Sequence, residues 1–252
     1  MRAKPERNDA AWIDGVSKTM LSASKSEDSK KKTLVLEKST KEITRCVAID
    51  CEFVGVGFQG QDDELARVSI VNLYGHVLMD YYVRPREQVV DYRSKFSGIH
   101  PHHFRPDGPA KDYQFVHNEV AKALEGRILV GHSVRNDLRV LNLSHPKSMI
   151  RDTSRYKPFR RLFKGQTPSL KRLTKEFLKI DVQDNEHDSI QDAQATMRLY
   201  TAVKRDWEFQ IKSHHSRKFG KMKTPSTTGT VEAEQKNPPI FKYRYKKKKK
   251  EN

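Results

Sequence analysis

Sustained apolar patterning begins at Cys46 and fades after Tyr200. The first apolar run, CVAIDCEFV, reads as a strand interrupted by two acids. After a Gly-rich and acidic connection, GVGFQGQDDE, come two more strand-like runs, ARVSIVNLYG and HVLMDYYV, divided at Tyr74 and Gly75, so an antiparallel meander is predicted. Phe115, Val116, Val120, Ala123 and Leu124 then recur near the 3.6-residue period, which predicts a helix ending at Gly126. RILVGH reads as a short strand. VRNDLRVLNL reads as a helix with Val134, Leu138 and Leu141 on one face and Asp137 riding on it, and MIRDT as another short strand. Ser169 in TPSL is placed as the N-cap of an amphipathic helix, LKRLTKEFL. A last helix is predicted to start near Asp188, where Asp188 and Gln191 have capping-box spacing and Ala193, Met197 and Tyr200 form the inward stripe. Three strands followed by alternating helices and short strands predict an α/β fold, a mixed sheet flanked by helices.

The flanks lack such patterning, and composition sharpens the contrast. Of 252 residues only 35% are apolar while 32% are charged, which implies a smaller globular part with solvated segments around it. Residues 1–42, with SASKSEDSKKK at their centre, read as a disordered tail, residues 43–205 as the folded domain, and residues 206–252 as a largely disordered, basic tail ending in KYRYKKKKKEN. The net charge of +17 divides into +3, +6 and +8 over these three segments, so the chain points to a polyanion, and the last tail to RNA contact or nuclear targeting. No basic amphipathic helix with a broad apolar face speaks for a membrane surface. The amino-terminal MRAKPERNDAAW has no apolar signal-peptide core and no stretch approaches 18 apolar residues, so a soluble intracellular protein is expected. Cys46 and Cys51, the only cysteines, lie in one predicted strand, which fits a reduced compartment and excludes a Cys-based zinc site.

The chemistry begins with Asp50 and Glu52. Two apart in a strand, they share one side. A lone carboxylate in an apolar strand costs several kcal/mol unless paired, and two side by side repel. No Lys or Arg lies inside the run, so a divalent ion with oxygen ligands, Mg²⁺ or Mn²⁺, would balance them. The simpler alternative has Glu52 ending the strand in water and Asp50 capping a turn. Asp137, after RILVGH, and Asp192, in the first turn of the last helix, add two more acids. His187 and Asp192 are five apart and would face different ways on one continuous helix, so His187 is placed on the loop before it, where an imidazole can act as a general base. His132 at a strand end and Asp152 at a turn read as structural, and His100, His102 and His103 as surface polar residues. Phe53 is read either as core or as a stacking surface for a nucleotide.

Asp50-x-Glu52, Asn136-Asp137 after Gly131-His132, and His187-x4-Asp192 together resemble the DEDDh 3′-to-5′ exonucleases over roughly residues 43–205. IDCEFVGVG, ARVSIVN, DYRSKFSGI, GRILVGH, IRDT and HDSIQDAQATMRLY are similar to the RNA exonuclease 4 branch; Phe53 departs from it, since relatives more often carry Met there. The resemblance implies a ribonuclease H-like mixed sheet. It also implies two ions, with Asp50 touching both, Glu52 and Asp192 completing the first and Asp137 the second, while His187 deprotonates the attacking water and Phe53 contacts nucleic acid. The implied substrate is single-stranded RNA, in particular pre-rRNA, and the implied place the nucleus and its nucleolus. Two alternatives stand beside it: a non-catalytic nucleolar RNA-binding factor with the same fold, and a DNA exonuclease of the same superfamily.

Overall fold

The computed structural model describes residues 42–179 and 187–220, with the side chains of residues 214–220 excepted. The expected amino-terminal tail and residues 221–252 of the expected basic tail therefore lie outside the described residues. β1 (Cys46–Val56), β2 (Asp62–Asn72) and β3 (Val77–Tyr82) form the predicted antiparallel meander. Both longer strands reach further than expected: half of the Gly-rich connection is strand, closed by a tight 3₁₀ turn at Phe58–Gly60. A short β4 (Val89–Asp91), which no apolar alternation announced, pairs with the far end of β1. A one-turn helix α1 (Ser94–Ser97) follows, then α2 (Tyr113–Leu124), β5 (Ile128–Gly131), α3 (Arg135–Val140) and β6 (Ile150–Asp152). α4 (Lys157–Leu162) precedes α5 (Leu170–Leu173), which runs into a π turn at Thr174–Leu178, and α6 (Ser189–Gly220) ends the described chain.

The six strands make one mixed sheet, five of them in the order β3-β2-β1-β5-β6 and β4 off this path on β1, with β5 and β6 parallel to β1. Val47, Ile49 and Cys51 point to one face and are covered by Val116, Val120 and Leu124 of α2 and Leu138 of α3. Cys46 and Ala48 point to the other and meet Ala193, Met197 and Tyr200 of α6, the predicted stripe, with Leu170 and Leu173 of α5 and Phe159 of α4 alongside. Each such fully buried apolar side chain contributes about 1.5–3 kcal/mol. By strand alternation Asp50 and Glu52 extend the Cys46–Ala48 row toward the start of α6.

Two helices differ from the sequence expectation. Phe115 is exposed rather than part of the buried stripe of α2, because Asp112 caps the helix through the Gln114 and Phe115 amides and turns Tyr113 inward instead; the Phe115 ring packs edge-on against Tyr81. The final helix does not stop at residue 205. Trp207 stacks on Tyr156 with centroids 4.0 Å apart, and Glu208 accepts two bonds, 2.6 and 2.9 Å, from the buried Arg151 guanidinium. The folded unit thus includes residues first read as tail: Trp207 and Ile211 continue the Met197–Tyr200 stripe at helical spacing, masked in the sequence by surrounding charge.

Candidate active site

β1 runs beside β5 only as far as Ala48, opposite Val130, and there the two strands part. The Cys51 amide, beyond that point, donates instead to Asp137 Oδ1 at 2.9 Å. Asp137 can reach it because α3 starts hard against the end of β5: a Cβ on Gly131 would lie 2.6 Å from Val134, a contact only glycine avoids. The buried carboxylate of α3 thereby replaces a missing strand partner at the split in the sheet, the place where open α/β sheets bind ligands.

On the other side, β2 anchors the start of α6. Ser69, opposite Asp50 in the ladder, donates to Asp80 at 2.8 Å and meets the Ser189 hydroxyl at 2.6 Å. Arg67, opposite Glu52, forms two bonds to Asp80, at 2.8 and 3.0 Å, and lies 3.2 Å from Asp188. Asp188 caps the helix through the Ile190 amide (3.1 Å), and the Asp192 amide donates to the Asp188 carbonyl (3.0 Å). These bonds set Asp192, buried in the first turn of α6, over the β1 acids. His187 lies before the helix, as its spacing predicts; its amide donates to the Phe96 carbonyl (3.3 Å) and its Nδ1 is 3.6 Å from Asp192 Oδ2. Ligand atoms of Glu52, His187 and Asp192 all fall within 4.8 Å of one another, and these three are the only such set among the described residues.

The acids strain one another electrostatically. Burial, reinforced by Asp137, Asp192 and Glu52, pushes the Asp50 carboxyl well above the usual carboxylate range. Burial and then Asp192 push Glu52 up to about 9, and burial pushes Asp137 up to about 7 although the Cys51 amide opposes it. Arg67 lowers Asp50 and Glu52 only in part, since its own charge is engaged by Asp80 and Asp188. Burial, followed by the nearby Lys171, draws the His187 imidazole below its ordinary range. Three carboxyl groups held above their ordinary range, with Asp192 beside them, form a site whose missing positive charge a divalent ion would supply, and oxygen donors with one imidazole suit Mg²⁺ or Mn²⁺.

A family model described as Exonuclease matches residues 47–200, more than half the chain. The chain belongs to the exonuclease family. It is 52% identical over 198 residues to RNA exonuclease 4 of Kluyveromyces lactis, covering 78% of this chain and 64% of that one. It is 52% identical over 177 residues to the Saccharomyces cerevisiae protein of that name (70% and 60%) and 51% over 183 to the human one (73% and 43%). The chain thus spans about 43 to 64% of the length of these relatives. Among solved structures, it resembles the S. cerevisiae Pan2 pseudoubiquitin hydrolase-RNA exonuclease module in complex with AAGGAA RNA (TM-score 0.59, 28% identity, 75% of this chain and 34% of that one). It also resembles the Neurospora crassa Pan2 catalytic unit (0.57, 29%, 71% and 30%). The mixed sheet with flanking helices is accordingly a ribonuclease H-like exonuclease fold.

In this exonuclease domain the five expected site residues, Asp50, Glu52, Asp137, His187 and Asp192, converge at the split in the sheet. Phe53 does not join them: it packs, half-buried, with Cys51 against the opposite face. His132 bridges the Thr153 hydroxyl (2.9 Å) and the Pro168 carbonyl (3.0 Å), and Asp152 caps the Thr153–Arg155 turn through the Ser154 amide, both structural placements. His100, His102 and His103 stack on one another and, through His103, on Tyr82. Sequence reasoning missed Arg67. The signal was available, since ARVSI places two polar residues at strand spacing, but only the register shows that they face Glu52 and Asp50.

Proposed function

We propose that this chain is a metal-dependent 3′-to-5′ exonuclease that releases nucleoside monophosphates from single-stranded RNA. The observation that carries this reading is the convergence at the sheet split of four carboxyl groups, those of Asp50, Glu52 and Asp137 raised above their ordinary range by burial, with an imidazole of lowered basicity. Two divalent ions, when bound, supply activation of the attacking water and charge stabilisation at the leaving 3′-oxygen. Asp50 would help hold both ions, Glu52 and Asp192 the first and Asp137 the second. His187, with Nδ1 turned to Asp192, takes the proton of the attacking water at Nε2; its depressed basicity keeps it neutral and able to accept at physiological pH. Arg67, Asp80 and Ser69 hold the start of α6 so that Asp192 and His187 keep their places. The names of the relatives support RNA as substrate, and by the same resemblance the substrate is pre-rRNA, processed in the nucleolus.

Labelled single-stranded RNA and DNA of equal sequence, each incubated with Mg²⁺, Mn²⁺ or EDTA, test this. RNA shortened from its 3′ end to monophosphates with either metal, and intact in EDTA, is the expected result. Cleavage in EDTA overturns the metal reading, preference for DNA overturns the substrate, and binding without cleavage identifies a non-catalytic RNA-binding factor.

A further inference from the structure

Residues 155–179 carry nine basic side chains and one acid, Glu176, a net +8 in 25 residues. Residues 43–205 as a whole carry +6, so the rest of the domain is at −2 and its net positive charge comes from this segment. The fold gathers the segment onto one surface. α4 and α5 lie against the same side of the sheet as α6, fastened by Phe159, Leu170 and Leu173, while Phe159 meets Phe177 at 4.8 Å and the Arg172 guanidinium covers the Phe163 ring at 5.2 Å. Their polar sides face out: Lys157, Arg160, Arg161, Arg172 and Lys175 are all exposed, and Lys157, Arg160 and Arg161 line an open recess of about 270 Å³. Glu176 is engaged by Lys179 at 3.7 Å.

This surface adjoins the acidic cleft. α5, which carries Lys171, packs through Leu170 and Leu173 against Ala193 and Met197 in the first turns of α6, the helix that carries Asp192. The aromatic rings of the segment are spent on packing: Tyr156 and Phe159 are buried, Phe163 lies under Arg172 and Phe177 against Phe159. Exposed cations that outnumber the one exposed ring of the segment, Phe177, suit backbone phosphates, which are read without regard to base identity.

We infer that the α4–α5 face is a phosphate track that holds the RNA strand upstream of the 3′ end being cut in the cleft. The inference rests on the nuclease reading above and adds to it a second region of contact within the folded domain. Because the track begins at Lys171, beside the cleft, a strand must leave the cleft to reach α4, and affinity then grows with RNA length. A dinucleotide is too short to do so. The track is indifferent to sequence and sensitive to salt.

The test uses the full chain and a triple variant, Lys157→Gln/Arg161→Gln/Lys175→Gln, with a charge-retaining control, Lys157→Arg/Arg161→Lys/Lys175→Arg. Binding of 5′-labelled RNA of increasing length is measured in EDTA over a range of salt, and kcat/KM with Mg²⁺. For long RNA the slope of log Kd against log salt is expected to flatten by about 2, three lost contacts at about 0.7 each for a single strand. The gain in kcat/KM from dinucleotide to long RNA should shrink in the same variant, and the control should retain both. A slope and length dependence equal to those of the wild type in the triple variant, with its thermal midpoint intact, overturn the track. Failure of the wild type to cleave a dinucleotide or long RNA would sink the nuclease reading instead, whereas the binding slope reads the track without catalysis.

Discussion

Asp50, Glu52, Asp137 and Asp192 gather four carboxyl groups where the sheet splits, while Lys157, Arg161 and Lys175 spread positive charge over the exposed α4–α5 face. The two like-charged groups behave differently because water reaches one and not the other. On the exposed face, charges are screened within a Debye length of about 8 Å at physiological salt, and repulsion costs little. In the cleft the groups answer burial by holding protons, with Glu52 raised to about 9. On the proposed reading one region would be completed by a small cation and the other covered by an extended polyanion, the two needs of a nucleic-acid hydrolase side by side.

The largest expected effect removes the centre of the cleft. Asp50→Asn should abolish metal-stimulated hydrolysis while its metal-free thermal midpoint stays equal or rises, because the substitution also removes a source of repulsion. Turnover at the wild-type rate would break the assignment of Asp50 to both ions.

His187→Ala comes next, with turnover lowered by about 10²–10⁴, the range for losing one general base, and RNA and metal affinity close to wild type. Because Nδ1 sits 3.6 Å from Asp192, metal affinity is the informative readout. Loss of metal binding, measured by calorimetry, would make His187 a ligand rather than the base.

A third effect is thermodynamic. The folded state keeps protons on Glu52 to about pH 9 and on Asp137 to about pH 7, whereas an unfolded chain releases them near 4. The folded state thus binds more protons across that window, and metal-free stability should fall as pH rises through it, by several kcal/mol in order of magnitude. Mg²⁺ or Mn²⁺ should reverse the fall. Denaturant melts at pH 5, 7 and 9 with EDTA or metal check it; stability that rises with pH in EDTA would mean the acids are already compensated.

The smallest effect separates the folded basic face from the basic tail. Removing residues 221–252 should weaken binding of long RNA and flatten its salt dependence while leaving hydrolysis of a short oligonucleotide nearly intact. An unchanged salt slope would leave the tail no contact with RNA, and the basic charge that matters would then be the charge on the fold.

Much of this was legible in one dimension. The meander, the helix after Asp112, the stripe of Ala193, Met197 and Tyr200, and the loop position of His187 follow from periodicities of two and 3.6, which local sterics impose. Phe115 was misplaced because a helix cap, not hydrophobicity, set which ring turned inward. The end of α6 was misplaced because Trp207 and Ile211 are separated by charged residues whose partners, such as Arg151, lie far away in the chain.

What the sequence determined by itself was the set of chemical groups and the side of its element on which each stands: Asp50 beside Glu52 on one strand face, Asp192 in a first helical turn, His187 just outside it. Only the tertiary structure decided their company. That Arg67 stands opposite Glu52 depends on strand register, and that Asp137 satisfies the Cys51 amide depends on β1 and β5 parting after Ala48. That the exposed cations of α4 and α5 stand on the side of the sheet that carries α6 depends on Phe159, Leu170 and Leu173 being buried together. Periodicity is a property of neighbours along the chain, whereas register, strand splitting and charge clustering are set by which distant apolar surfaces are buried against each other.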